Sequence, residues 1–272
     1  MSPINKREVI NMVTLLLKYA KRVLTLLIVA FLLTTTVVTA KTNEYINYKI
    51  ETQVEQSVET VFITQRQTQV VVHPGEFNLK QGKRIYVNNG VNWKDIATDI
   101  PIHKDNEGYF ISEYDINLKV AKKVYKELKR RGVDVKLQIT ENRSGDLNQV
   151  GRTANKDNPY LFLSLHHNYY NETSEGYFTM YNKGNEMAKN IANRLSSSIE
   201  NNGMVKRREP VLNTGQIGEL NTLNNSVIGC LMELGFFSNK KELIKICSDK
   251  YTDYVAEHLA DEIVNILNDY WK

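Results

Sequence analysis

Short apolar segments alternate with amphipathic segments from residue 69 to the end of the chain, and this alternation constrains the fold most strongly. The β-branched run Gln69–His73 stops at Pro74 and Gly75, which is typical of a buried strand that ends in a turn. Between Ile116 and Leu128 apolar residues recur every four positions, which predicts an amphipathic helix.

The remaining segments extend the same pattern. Further strands are predicted at Val133–Ile139, Tyr160–Leu165, Gly176–Tyr181 and Val227–Leu234, and further helices at Asp146–Asn155, Glu186–Asn201, Lys240–Ile246 and Tyr251–Tyr270. Strands separated by helices favour an α/β fold with a mainly parallel, twisted sheet and helices on both faces. The stretch Glu76–Ile111 carries no such pattern and is predicted to be a long functional loop.

The N-terminus has the features of an export or anchoring segment. Val23–Ala40 is a run of 18 uncharged residues preceded by Lys18, Lys21 and Arg22. As a helix it would span roughly 27 Å, close to the thickness of a hydrocarbon core. The basic flank predicts a cytoplasmic N-terminus and an extracytoplasmic body. An uncleaved membrane anchor, a cleaved signal ending at Ala40 and a buried helix of a soluble protein all remain open.

Three regions are therefore predicted: a signal-anchor or signal peptide at residues 1–40, a polar linker at 41–68 and a catalytic domain at 69–272. The linker is rich in Thr, Gln, Glu and Asn, and its apolar spacing suits a helical stalk. An extended spacer fits the segment nearly as well.

Charge and cysteine content exclude several classes of function. The net charge of +4 is carried by residues 1–40, and the rest of the chain is neutral, so a nucleic-acid partner is not expected. Only two cysteines are present, which excludes a disulfide-dense scaffold and an all-cysteine zinc site. No G-x-S-x-G or H-E-x-x-H motif is found.

Polar side chains near the ends of the predicted strands suggest a zinc site. His166 follows an apolar strand, and Glu113 opens the first long helix. Glu233 interrupts the apolar strand Val227–Leu234, where a buried carboxylate is costly without a partner or a metal. Zinc prefers such imidazole and carboxylate ligands. Taken singly, each residue also has a purely structural interpretation.

These residues resemble the motifs of the zinc-dependent N-acetylmuramoyl-L-alanine amidases of amidase type 3. Five segments resemble motifs of that family and follow one another in the same order: Val70–Gly75, Ser112–Leu118, Gly151–Asn155, Ser164–Asn168 and Glu233–Asn239. The resemblance implies Glu113 and His166 as zinc ligands and Glu233 as the catalytic base. It also implies Arg152 and Asn168 as substrate-binding residues.

The first motif departs from the family pattern Asp-x-Gly-His, whose histidine binds zinc. The chain has His73-Pro74-Gly75-Glu76 instead. When the two motifs are aligned residue by residue, Glu76 stands at the position of the zinc-binding histidine. The preference of zinc for imidazole ligands favours His73 instead. A degenerate site that only binds cell wall is the third possibility.

The resemblance implies a peptidoglycan hydrolase. It would cleave the amide bond between N-acetylmuramic acid and the first L-alanine of the stem peptide by zinc-assisted hydrolysis. Such an enzyme would act outside the cytoplasm, held by residues 23–40 or secreted to the cell wall. Two alternatives are an inactive wall-binding or regulatory module on the same fold and another exported metallohydrolase. Protein partners are not indicated by the sequence.

Overall fold

The computed structural model describes residues 18–21, 23–24, 69–75, 83–86, 99–139 and 146–270. The chain divides into two compact units, residues 1–58 and 59–272. In the first unit, residues 18–21 and 23–24 are helical. Among the described residues no helix is both long and apolar enough to cross a membrane. The predicted anchor at 23–40, beyond its first two residues, and the linker at 41–68 lie outside these residues.

The second unit is built on a six-stranded sheet of β1 (Val70–Pro74), β5 (Val135–Leu137), β6 (Leu161–Asn168), β7 (Phe178–Tyr181), β8 (Val211–Leu212) and β9 (Ile228–Phe236). The strand order is β5–β1–β6–β9–β7–β8. The four strands β5, β1, β6 and β9 are parallel to one another, and β7 pairs with β9 in the antiparallel sense. The predicted mainly parallel sheet is therefore confirmed.

Helices cover both faces of this sheet. They are α1 (Glu113–Arg130), α2 (Leu147–Asp157), α3 (Glu186–Ser198), α4 (Gly218–Asn221), α5 (Lys240–Cys247) and α6 (Asp249–Tyr270), with a 3-10 turn at Glu200–Asn202. The apolar sides of α1, α3 and α6 pack on one face of the sheet and form the larger core. The helices α2 and α4 pack on the other face over a smaller core.

The predicted loop Glu76–Ile111 contains regular structure, so that prediction was wrong in part. Its described residues include β2 (Arg84–Tyr86), β3 (His103–Lys104) and β4 (Tyr109–Ser112), which form an antiparallel sheet in the order β2–β4–β3. These strands have two to four residues, too few for periodicity to reveal them. They join because pairing with neighbours satisfies their backbone groups.

The sheet places polar residues in adjacent rows at the carboxyl ends of its parallel strands. His73 of β1 stands in register with Ser164 of β6. Two residues further along β6, His166 stands in register with Glu233 of β9. Registered residues point to the same face, here the face covered by α2 and α4. The titratable side chains of His73, His166 and Glu233 therefore lie together at one edge of the smaller core.

Candidate active site

Glu113, His166 and Glu233 meet at this edge, as the sequence predicts. Glu113 is the first residue of α1, where the Ser112 side chain accepts a hydrogen bond from the Asp115 backbone amide and caps the helix. The capped terminus holds Glu113 against β6, and its Oε1 lies 3.3 Å from His166 Nδ1. His166 belongs to β6 itself rather than to the segment after it, because the strand continues to Asn168.

A carboxylate that the sequence reasoning missed faces the other side of the His166 ring. Glu219 Oε1 lies 2.7 Å from His166 Nε2, and Ser164 Oγ donates a 2.7 Å hydrogen bond to Glu219 Oε2. The Glu219 side chain is 0% exposed, which is unusual for a carboxylate and requires such partners. The only local signal is an acid within the otherwise uncharged stretch 210–222, which is too weak to identify a site.

The carboxylates govern the protonation of His166. Burial by itself disfavours the imidazolium, but the negative charge of Glu219 and the hydrogen bonds to Glu113 and Glu219 outweigh it, so the pKa of His166 is raised well above its usual value. For the Glu219 carboxyl, burial likewise opposes ionisation, and the charge of His166 overcomes it, so its pKa is lowered. Each group therefore stabilises the charged form of the other.

Glu233 lies beside this pair in a different environment. Burial raises the pKa of its carboxyl; the charge of His166 partly opposes this rise, while the charge of Glu113 adds to it. Glu233 Oε2 is buried and has no hydrogen-bond partner among the residues that the structure describes. Such a carboxylate is poised to exchange a proton near neutral pH, which is the property that a general base requires.

His73 lies at the same edge, and its ring is already engaged at one nitrogen. His73 Nδ1 is 2.8 Å from the Gln138 carbonyl oxygen, and its Nε2 is 4.0 Å from Glu219 Oε2. Burial lowers the pKa of His73, so the neutral ring is favoured, with Nδ1–H donating to the carbonyl. Its Nε2 then carries the lone pair. Glu76, the other candidate for the first ligand, lies outside the described residues.

Gly75 and Asn117 hold the turn after β1 against the site. A Cβ atom at position 75 would overlap the imidazole of His166, so glycine allows the turn to pack directly on the ring. Asn117 Nδ2 donates to the Gly75 carbonyl oxygen at 2.7 Å and to Glu113 Oε1 at 3.2 Å. The first strand, the first helix and β6 are thus tied together around His166.

The segment Gly151–Asn155 positions α4, which carries Glu219. A Cβ atom at Gly151 would overlap the Glu219 carbonyl oxygen, so glycine permits the close approach of α2 and α4. Asn155 Nδ2 donates to the Thr222 carbonyl oxygen at 2.7 Å, and Asn155 Oδ1 accepts from the Asn224 amide at 2.9 Å. This motif therefore supports the site through the backbone that follows Glu219.

The two predicted substrate-binding residues have hydrogen-bond partners outside this cluster. Arg152 is on the exposed side of α2, where its Nη2 lies 2.6 Å from Asp146 Oδ2. Asn168 is the last residue of β6, and its Oδ1 accepts from the Tyr169 amide at 2.8 Å. His167, the residue after His166, has its Nδ1 2.7 Å from Asn117 Oδ1. A role for Arg152 or Asn168 in substrate binding stays a prediction.

The donor set suits a divalent cation. Within the ranges that the structure describes, no three His, Cys, Asp or Glu side chains already converge as a metal-binding group. Three carboxylates, from Glu113, Glu219 and Glu233, nevertheless lie around His166, and the positive charges of His166 and Lys83 are two against these three acids. Glu233 Oε2, which has no hydrogen-bond partner among the described residues, points to the same deficit of positive charge. These residues therefore fit zinc, which takes carboxylate and imidazole ligands.

A family model described as N-acetylmuramoyl-L-alanine amidase matches residues 103–265, more than half of the chain. The chain belongs to this amidase family. The matched range includes Glu113, His166, Glu219 and Glu233. It begins after β1, so the unusual first motif of this amidase-family member lies outside the match.

Solved amidase structures share the fold. The catalytic domain of CwlV, an amidase from Bacillus (Paenibacillus) polymyxa, is 21% identical, covers 74% of this chain and 98% of its own, and has a TM-score of 0.57. The CwlD amidase of Clostridioides difficile, solved with the GerS lipoprotein, is 19% identical, covers 74% and 99%, and has a TM-score of 0.54. The uncharacterized protein YqiI of Bacillus subtilis is 25% identical over 199 residues, 70% of this chain and 86% of YqiI.

Proposed function

We propose that the chain is a zinc-dependent peptidoglycan amidase. It would cleave the bond between N-acetylmuramic acid and the L-alanine of the stem peptide. The observation that carries the proposal is the meeting of Glu113, His166 and Glu233 at the carboxyl ends of β6 and β9. Membership of the amidase family supports the same reaction.

Glu113 and His166 would supply two of the three protein ligands that a catalytic zinc usually has. The third would come from the turn after β1, from Glu76 or His73. Zinc bound there would polarise the scissile carbonyl and lower the pKa of a water molecule. Asn117 and the His167 backbone amide, 3.2 and 3.4 Å from Glu113 Oε1, would keep that carboxylate in place.

Glu233 would act as the general base and then as the general acid. Burial raises the pKa of its carboxyl, which brings its proton affinity closer to that needed at neutral pH. It would accept a proton from the attacking water and return it to the leaving amine of L-alanine. No group partners Glu233 Oε2 among the described residues, so this oxygen is available for the transfer.

The surface next to the site has features that suit a glycopeptide. Tyr169 and Tyr170 follow β6 directly, and both rings are exposed, Tyr170 to 73%. Aromatic faces and edges pack well against sugar rings and short peptides. We propose that these tyrosines, together with Asn168 and Arg152, line the substrate groove.

The decisive experiment uses the full-length protein and purified peptidoglycan. We expect new free N-termini that belong to L-alanine, and about one zinc per chain by elemental analysis. A protein that sediments with peptidoglycan but releases no peptide would instead be a wall-binding or regulatory module. Hydrolysis of another bond would point to a different exported metallohydrolase.

The proposed substrate lies outside the cytoplasm, so residues 41 onward should be exported. A reporter that is active only outside the cytoplasm, fused after Gln69, should be active, whereas a cytoplasmic reporter at the same point should be silent. The opposite pattern would contradict the placement. A membrane-bound product that begins at Met1 would support the anchor, and a soluble product that begins at Lys41 would support a cleaved signal.

Paired variants should identify the third ligand. Direct register favours Glu76, and we expect Glu76→Ala to lower zinc affinity, measured by competition with a chromophoric chelator, more than His73→Ala does. His73 Nδ1 is held by the Gln138 carbonyl, so His73→Ala should mainly destabilise the fold. Loss of zinc only in the His73 variant would reverse this assignment. Glu76→His should keep or raise zinc affinity if position 76 is the ligand.

A further inference from the structure

We propose that Glu219 is a positioning residue for His166. In this arrangement the proton on His166 Nε2 is held by Glu219, so that Nδ1, the nitrogen beside Glu113, is the one that binds the metal. The inference rests on the proposed zinc amidase function and adds to it which ring nitrogen is the ligand and which carboxylate orients it.

The distances on the two sides of the ring distinguish the roles of the two carboxylates. Two ligands of one tetrahedral zinc, each about 2.0–2.1 Å from the metal, lie about 3.3 Å apart. His166 Nδ1 and Glu113 Oε1 are 3.3 Å apart, which is this ligand–ligand spacing. His166 Nε2 and Glu219 Oε1 are 2.7 Å apart, which is a hydrogen-bond distance and too short for two ligands of the same ion.

The surroundings of Glu219 fix it in the orienting role. Its Oε1 accepts from His166 and its Oε2 accepts from the Ser164 hydroxyl at 2.7 Å, so both oxygens are engaged. The backbone of Glu219 is held in turn, because its carbonyl oxygen packs on Gly151. A buried carboxylate that is fixed in this way fixes the imidazole that it binds, and an oriented imidazole is a stronger metal ligand.

The same contacts explain why the ring cannot rotate away. Gly75 packs on the imidazole, and any side chain there would overlap it. One face of the ring is covered by the turn after β1 and Nε2 is bonded to Glu219, so Nδ1 is the ring nitrogen left to bind a metal. His166 Nδ1 and Glu113 would therefore hold the metal, whereas Glu219 would bond only to the ring.

The test compares zinc affinities of full-length variants by competition with a chromophoric chelator. Glu219→Gln keeps the shape but loses the charge, and we expect a zinc affinity about 10-fold weaker; Glu219→Ala should approach 100-fold. Glu242→Gln is the matched control: Glu242 is also buried, and it accepts from the Gly176 and Phe236 amides, both at 2.7 Å. This control should change stability without changing zinc affinity.

A second measurement does not depend on a variant that folds. In zinc-loaded wild-type protein with ¹⁵N-labelled histidine, His166 should carry a slowly exchanging proton on Nε2 and show a metal-shifted Nδ1 resonance. A metal-shifted Nε2 would overturn the inference, as would a Glu219→Gln protein that binds zinc as tightly as wild type.

These outcomes separate the inference from the proposed function. If the wild type binds zinc with an affinity that depends on Glu219 but releases no peptide, the amidase proposal fails and the role of Glu219 stands. If the wild type binds zinc and hydrolyses peptidoglycan while Glu219→Gln binds zinc equally well, only the inference fails. A wild-type protein that binds no zinc overturns both.

Discussion

Replacing Glu233 by glutamine should lower the rate of peptide release from peptidoglycan by about 100- to 10,000-fold. The substitution preserves the size of the side chain but removes its ability to accept a proton, and general acid–base catalysis contributes an effect of this size. The rise that burial causes in the pKa of Glu233 means that its buried charge is unfavourable. The glutamine variant should therefore be at least as stable as the wild type, and its zinc content should be unchanged.

The measurement is the initial rate of appearance of free L-alanine N-termini, with zinc content and thermal unfolding followed in parallel. Glu242→Gln serves as the control, because Glu242 is a buried glutamate whose carboxylate, within the described part of the chain, accepts from backbone amides only. A Glu233→Gln protein that hydrolyses peptidoglycan at close to the wild-type rate would show that Glu233 is structural. A loss of zinc in that variant would instead make Glu233 a ligand.

Local patterns predicted most of the sheet and its helices. The four-residue spacing from Ile116 to Leu128 predicted α1, because every fourth position of that helix packs against the sheet. The apolar runs predicted β6 and β9, because both faces of a central parallel strand are covered. The elements that were missed, such as β8 and α4, have two and four residues. Their stability depends on tertiary packing, which no local periodicity records.

The sequence could predict only those residues of the candidate site that stand in recognisable segments. Glu113, His166 and Glu233 each stand in a clear pattern, and the parallel pairing of β6 with β9 and the start of α1 bring them to one edge. Glu219 does not: it reaches His166 because Gly151 lets α4 approach α2 closely. That contact joins segments far apart in the chain, so it depends on the folded structure. The sequence also placed His166 after its strand, although pairing with β9 extends the strand through it.

Replacing His166 by alanine should abolish zinc binding and destabilise the metal-free protein together. His166 is 8% exposed, and its two nitrogens face Glu113 at 3.3 Å and Glu219 at 2.7 Å. Removing the ring leaves two buried carboxylates without their cationic partner, and breaking a buried pair in this way costs about 3–5 kcal/mol. Peptide release should fall below detection, because one of the ligands is lost.

Urea unfolding of the metal-free protein and chelator competition measure these two losses separately. His258→Ala is the matched control: His258 lies on α6, where its ring stacks on Tyr254 with the ring centroids 3.8 Å apart, and it should keep wild-type zinc affinity. If the alanine variant does not fold, His166→Gln tests the same point, because the amide fills most of the space and is a poor zinc ligand. A folded His166 variant that retained one tightly bound zinc per chain would remove His166 from the metal site.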